Sequence, residues 1–260
     1  MTDIVIYSAV FAFGAAAGSF VNVCIYRIPR GVSVVRPRSA CPACGAALGP
    51  AELAPIFSFI FLRGRCASCK GRISARYPLV EAACGAMWAA MFWKYSFSPY
   101  FICYAALCSI LLAVFFIDYD TFRIPNPLVL AAVPPALAAA VVFSFFSTGP
   151  ERFRSVYGSA GMAAPLLGLV PCAFFLLIYI ISSVLGGGKA AIGLGDVKLL
   201  VPAGLALGLR QSLFAAFIAV TLGGLTGIAL LATGRKKRKD PIPFGPFLVA
   251  GIIAALIIYI

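Results

Sequence analysis

Apolar residues run through this chain in blocks of about 20, separated by short polar or glycine- and proline-rich breaks, instead of alternating with polar ones. Blocks near 4–25, 78–93, 100–117, 128–147, 162–185, 197–209, 212–233 and 245–260 each read as a helix suited to a hydrocarbon layer of roughly 30 Å. The second and sixth are short, and the break between the sixth and seventh is expected at Arg210-Gln211, so seven spans stand beside eight as alternatives. One long polar interval, residues 27–77, separates the first block from the second. The pattern predicts an all-α polytopic membrane protein of about eight transmembrane helices, with a small cytoplasmic loop domain between the first two. Residues 1–26 would form the first transmembrane helix, 27–77 the loop domain and 78–260 a multi-helix membrane domain.

Composition agrees with this reading. Of 260 residues, 62% are hydrophobic and 11% charged, where soluble domains have roughly 45–50% and about 25%. The start, Met1-Thr2-Asp3, has no basic region, so Ala15-Ala16-Ala17-Gly18-Ser19 reads as part of a span and not as a signal cleavage site. With eight spans, 17 Lys and Arg fall on one side, in 27–77, 118–127, 186–199 and 234–244. Four fall on the other, Lys94, Arg152, Arg154 and Arg210. The positive-inside rule makes the first side cytoplasmic and turns both termini outward. The formal charge of +13 then lies mostly against the anionic lipid of the cytoplasmic leaflet, and no nucleic acid is needed to explain it.

The chain has no histidine, which excludes a Ser-His-Asp triad, a Cys-His pair and an HExxH zinc protease. Cysteine carries a different signal. Cys41-Pro-Ala-Cys44 is followed after 21 residues by Cys66-Ala-Ser-Cys69, the spacing of a closed four-thiolate zinc site. A loop of this size with little alternating apolar pattern needs such a structural Zn²⁺ to fold. Two disulfides or a dithiol redox pair are the alternatives, and a reducing cytoplasm argues against lasting disulfides. Cys24, Cys84, Cys103, Cys108 and Cys172 lie singly in apolar runs, as packing residues do.

Eight carboxylates are present, and those beside apolar blocks need an explanation. Asp118 and Asp120 end one block on the cytoplasmic side, while Asp196 opens another within Gly193-Leu194-Gly195-Asp196-Val197-Lys198. Asp196 could be a helix cap, but capping explains neither the glycines around it nor a second acidic site in so acid-poor a chain. Spacing of two puts Asp118 and Asp120 about 200° apart on a helix, so one of them at most would face Asp196. The pair could instead be neutralised by Arg123, or form a DxD metal site. Glu81, on the same face, would orient the loop or substrate, or serve the first helical turn. Two carboxyls in one site would work as one acid and one base, which suits metal-free peptide hydrolysis.

Taken together, Gly18-Ser19-Phe20-Val21-Asn22-Val23 with Tyr26-Arg27-Ile28-Pro29, the four cysteines, Arg76-Tyr77-Pro78-Leu79-Val80-Glu81, Ile117-Asp118-Tyr119-Asp120 with Ile124-Pro125-Asn126, the Gly193–Leu200 segment and Pro243-Phe244-Gly245-Pro246-Phe247 resemble the bifunctional type IV prepilin peptidase family over nearly the whole chain. The resemblance implies that Asp118 and Asp196 are the catalytic pair, with Asp120, Gly193, Gly195, Lys198 and Glu81 in support. It implies a bacterial inner-membrane aspartic endopeptidase that removes short basic leaders from pilin-like or pseudopilin precursors at the cytoplasmic face. It also implies methylation of the new N-terminus with S-adenosylmethionine, although no nucleotide-binding glycine fingerprint marks where that cofactor would sit. Asn126 stands where many members have Asp, and Phe57-Ser58-Phe59 lacks the Trp or Tyr often seen beside the serine. Two other readings compete: a DxD metal-dependent transferase acting on a lipid-linked substrate, and a non-enzymatic zinc-knuckle membrane scaffold.

Overall fold

The computed structural model describes residues 2–145, 164–186, 192–237 and 240–258. Along the chain these form α1 Thr2–Arg27, a short α2 Phe57–Phe61, α3 Arg76–Tyr95, α4 Pro99–Thr121 and α5 Asn126–Phe145. They continue with a short α6 Ala164–Leu167, α7 Val170–Leu185, α8 Leu194–Ala232 and α9 Gly245–Ile258. Among the described residues there is no strand, only two isolated antiparallel bridges. Arg152, Arg154, Lys189, Arg238 and Lys239, and the glycines 187 and 188, lie outside the described residues.

Local chemistry sets the helix ends. Pro99 and Pro171 begin α4 and α7 in the first turn, where a missing N–H costs nothing. Phe122 closes α4 in the left-handed region and returns its N–H to Asp118 O at 2.8 Å.

Four segments, Asp3–Arg30, Pro99–Thr121, Pro165–Leu185 and Leu194–Ala232, are long and apolar enough to cross a membrane, and Asn126–Val142 and Gly245–Ile258 are shorter apolar helices. Leu194–Ala232 is two spans. Its 39 residues would measure about 58 Å if straight, well beyond a core of roughly 30 Å. Gly208 breaks it with φ 70° and ψ −178°, a left-handed backbone that side-chain-bearing residues disfavour. The second arm then returns alongside α9: Gly251 packs on Ala215, Gly223 on Phe244 and Phe247, and Gly227 on Ile242. The turn therefore lies at Gly208 and not at Arg210-Gln211, where the break in the apolar pattern pointed. Gln211 is buried inside the second arm. With this hairpin counted as two, each of the eight expected apolar blocks falls mainly on helix in its described part, the fifth with a turn at Gly168-Leu169 between α6 and α7.

Met91, Leu107, Leu111, Ile117, Leu199, Leu207, Leu248 and Ile252 form the centre of the core. Large apolar side chains such as Phe13, Ile102, Leu130, Phe217 and Ile228 face outward, as lipid-facing positions do. Contacts place the helix ends at two levels. The start of α3 meets the end of α4 through Arg76 and Asp120, and the starts of α5 and α8 meet through Asn126 and Lys198. The start of α9 meets Asp118. At the opposite end of the bundle, Lys94 of α3 donates to Leu256 O of α9 at 2.7 Å. Five helix ends thus converge on one side, the side from which the 27–77 segment emerges.

Candidate active site and metal centre

Asp118 lies three residues before the end of α4 and Asp196 in the first turn of α8. Their residues are only 4% and 8% exposed, and the two carboxylates lie close enough to repel each other electrostatically. Asp196 is not the cap of its helix. Gly193, in extended conformation, holds that place, and Asp196 N donates to Gly193 O at 3.1 Å. A side chain at Gly193 would come within 3.0 Å of Asp196 Oδ2, and one at Gly195 within 3.0 Å of Ile124 Cβ. The first glycine leaves room for the acid, and the second lets α8 press against the Ile124-Pro125 turn.

A third element completes the pair. Gly245 at the start of α9 donates its N–H to Asp118 Oδ2 at 3.0 Å, in a buried setting. A Cβ at Gly245 would stand 2.6 Å from that oxygen, so only glycine lets this backbone approach. Gly245 belongs to the Pro243-Phe244-Gly245-Pro246-Phe247 segment, whose sequence alone gives this glycine no role of its own.

The remaining expected residues sit apart from the pair. Asp120 is half-exposed and ion-paired with Arg76, with Nη2 to Oδ2 at 2.7 Å and Nη1 to Oδ1 at 3.1 Å. Arg76 also donates to Phe116 O at 3.3 Å and lies over the Phe116 ring. The partner is thus Arg76, from another helix, and not the sequence neighbour Arg123. Turned to this arginine, Asp120 does not join Asp118 as a DxD metal pair. Lys198 donates to Asn126 Oδ1 at 3.2 Å. Glu81 is buried in α3 and accepts from Ile56 N at 2.8 Å. That bond ties α3 to the segment 27–77.

The segment 27–77 brings Cys41, Cys44, Cys66 and Cys69 together, with all four sulfurs within 4.8 Å of one another. Cys41 Sγ and Cys69 Sγ are 3.9 Å apart. Tetrahedral Zn–S bonds of about 2.3 Å put sulfurs about 3.8 Å from one another, so the residues present fit the metal. The two knuckles repeat one local design. Cys41 N donates to Ala46 O and Cys66 N to Gly71 O, both at 2.9 Å, closed by the bridges Ala40–Ala47 and Arg65–Arg72. Each knuckle needs one left-handed residue after its second cysteine, Gly45 at φ 71° and Lys70 at φ 59°. Amide hydrogen bonds from Cys44 and Ala43 bring the Cys41 thiol down to about 7. Cys44 accepts the Ala46 amide, which favours its thiolate, but its sulfur neighbours push it up to about 11. Crowded thiolates of this kind call for a cation.

Residues 12–95 match the bacterial peptidase A24 N-terminal domain and residues 105–228 the type IV leader peptidase family. The chain is 36% identical over 248 residues to the prepilin leader peptidase/N-methyltransferase of Bacillus subtilis, across 95% of this chain and 92% of that protein. It is 33% identical over 268 residues to the protein of the same description from Burkholderia pseudomallei, across 94% and 82%. A relative of that description from Aeromonas hydrophila is 33% identical over 277 residues, across 96% and 90%. No solved structure gives a significant match.

Proposed function

The chain belongs to the type IV leader peptidase family, and from that premise we propose that it removes the leader from prepilin-type precursors with Asp118 and Asp196 as its catalytic pair. The observation that carries this reading is the burial of two carboxylates at helix ends that converge on one side of the bundle, with Gly245 N–H on Asp118 Oδ2. Asp118, already accepting that hydrogen bond, acts as the base and takes a proton from a water held between the acids. The water oxygen attacks the scissile carbonyl, and Asp196, in its carboxylic acid form, donates to the developing oxyanion and later helps the amine leave. The half-exposed Asp120–Arg76 pair argues against the DxD transferase.

The site lies where an apolar segment crossing the bilayer would present its adjoining polar leader. Precursors of pilins or secretion pseudopilins have the required form, a basic leader followed by an apolar helix. The excess of Lys and Arg on this side supports a cytoplasmic orientation, and the family supports the bacterial inner membrane as its location. On this reading residues 1–26 are a first helix, 27–77 a zinc domain and 78–260 the peptidase domain, which holds both acids. Zn²⁺ on the four thiolates supplies a folding constraint and no step of the reaction. The relatives' description also supports a second step, transfer of a methyl group from S-adenosylmethionine to the newly freed amine.

Intact-mass measurement of a pilin-like precursor incubated with the purified protein tests this. Wild type should remove the leader, and Asp118→Asn and Asp196→Asn should not. With S-adenosylmethionine present, the product should gain the mass of one methylene. Cleavage by a folded Asp196→Asn protein would overturn the assignment.

A further inference from the structure

Outside the catalytic pair and the cysteine cluster, one feature of the 27–77 segment has no assigned role. Pro55 to Leu62 carries the sequence Pro-Ile-Phe-Ser-Phe-Ile-Phe-Leu, and its helical part, α2, leaves its largest side chains uncovered. Phe57, Ile60 and Phe61 are 64%, 63% and 81% exposed. They occupy positions i, i+3 and i+4, one face of the helix. Phe59 points the other way, packed within 3.0 Å of where a Cβ on Gly64 would stand. The sequence therefore divides its aromatics deliberately, one inward under the turn and the rest outward. A patch of this kind facing water would be a liability.

Three observations identify what covers it. First, Ile56 N–H, immediately before α2, is bound to Glu81 Oε2 at 2.8 Å. Glu81 lies five residues into α3, about 7 Å along that helix from Arg76, so the residue that opens α2 is tied to α3 near its start, on the side where the helix ends converge. Second, Tyr26 and Tyr77, at the end of α1 and the start of α3, are also exposed, in the place where aromatic side chains mark a membrane interface. Third, the exposed Arg63 and Arg65 follow α2 directly, which suits anionic headgroups. The backbone of α2 is also satisfied internally: Ser58 N bonds to Ala54 O, Ile60 N to Ile56 O and Leu62 N to Ser58 O. A segment that leaves water needs this.

We propose that α2 is an interfacial membrane anchor: Phe57, Ile60 and Phe61 lie at the boundary of headgroups and acyl chains of an anionic phospholipid bilayer, with Arg63 and Arg65 on the headgroups. The anchor, together with the Ile56–Glu81 bond, holds the metal domain flat against the membrane beside the converging helix ends. Surface burial of an amphipathic face plus adjacent positive charge is the general basis of such attachment.

The test uses the full chain in nanodiscs containing anionic lipid, where both faces are accessible. Phe61→Trp is compared with wild type, whose Trp88 and Trp93 supply a constant background. The added emission should be blue-shifted and quenched several-fold more by lipids brominated near the headgroup than by aqueous acrylamide. Emission at the solvent wavelength with acrylamide quenching would overturn the proposal. So would lipid protection absent until a pilin-like precursor is added, since the precursor would then be the occupant. As a second measurement, the combined variant Phe57→Ser, Ile60→Ser, Phe61→Ser, checked for unchanged helical content and melting, should be cut by trypsin at Arg63 and Arg65 about tenfold faster than wild type. An unchanged rate would also overturn it. Neither readout depends on peptidase activity.

Discussion

The cysteine cluster and the carboxylate pair both gather four backbone segments or fewer around a small polar centre, yet they are built in opposite ways. Each cysteine knuckle is made locally, by the same turn and bridge within seven or eight residues, and the two halves need only a cation between them. The carboxylates have no local design. Asp118 ends one helix, Asp196 begins another, and the amide that holds Asp118 comes from Gly245, 127 residues further on. Where a metal supplies the attraction, short turns suffice. Where two acids with no attraction between them must be held together, the rigid packing of several helices has to supply the restraint.

Variants at the acids should show the sharpest contrast. Asp118→Asn or Asp196→Asn is expected to lower the cleavage rate by at least about 10³-fold with metal content unchanged, read by single-turnover cleavage. Gly245→Ala should come next. Its methyl would displace Asp118 Oδ2, now 2.6 Å from the Cβ position, and a displacement approaching 1 Å costs about 10²-fold in rate. The same variant should leave cysteine reactivity untouched, whereas a local role for Gly245 would leave cleavage within a few-fold of wild type.

Cys41→Ser or prolonged chelation should act in the other direction, loosening the 27–77 segment first. Hydrogen exchange should rise there while amides in α4 and α9 stay protected, and equal exchange in both regions would deny that they fold as separate units. The Arg76–Asp120 pair is half-exposed, and a double-mutant cycle should return a coupling of about 0.2–1 kcal/mol. Asp120→Ala should retain cleavage within a few-fold, since its oxygens are occupied by Arg76 and not by Asp118. Smallest of all, Lys70→Gly relieves a left-handed side-chain-bearing residue and should stabilise the knuckle by up to about 1 kcal/mol, read as a small rise in its melting midpoint.

How far the residues announced these features follows from the range of the forces involved. The CxxC pairs were legible because their turns are short and their chemistry distinctive. The carboxylates were legible because charges beside apolar blocks are rare. The turn at Gly208 was placed two residues late, since Arg210 is the visible polar interruption while the bend depends on which residue tolerates positive φ. Arg123 was a plausible neighbour for Asp120 by proximity in sequence, but Arg76 reaches it across the helix interface. Gly245 carried no charge to draw notice, and its role is a distance of approach.

The order of residues by itself determined an all-helical membrane protein, its basic side, its four-thiolate knuckles and the two acids that stand out from apolar surroundings, because periodicity, charge and ligand spacing are properties of the chain read locally. The tertiary structure alone decided which acid faces which, that Asp120 belongs to Arg76, that Gly245 grips Asp118, and where the seventh apolar block turns back, because these depend on helix ends meeting in space, where a difference of one methyl group sets what can approach.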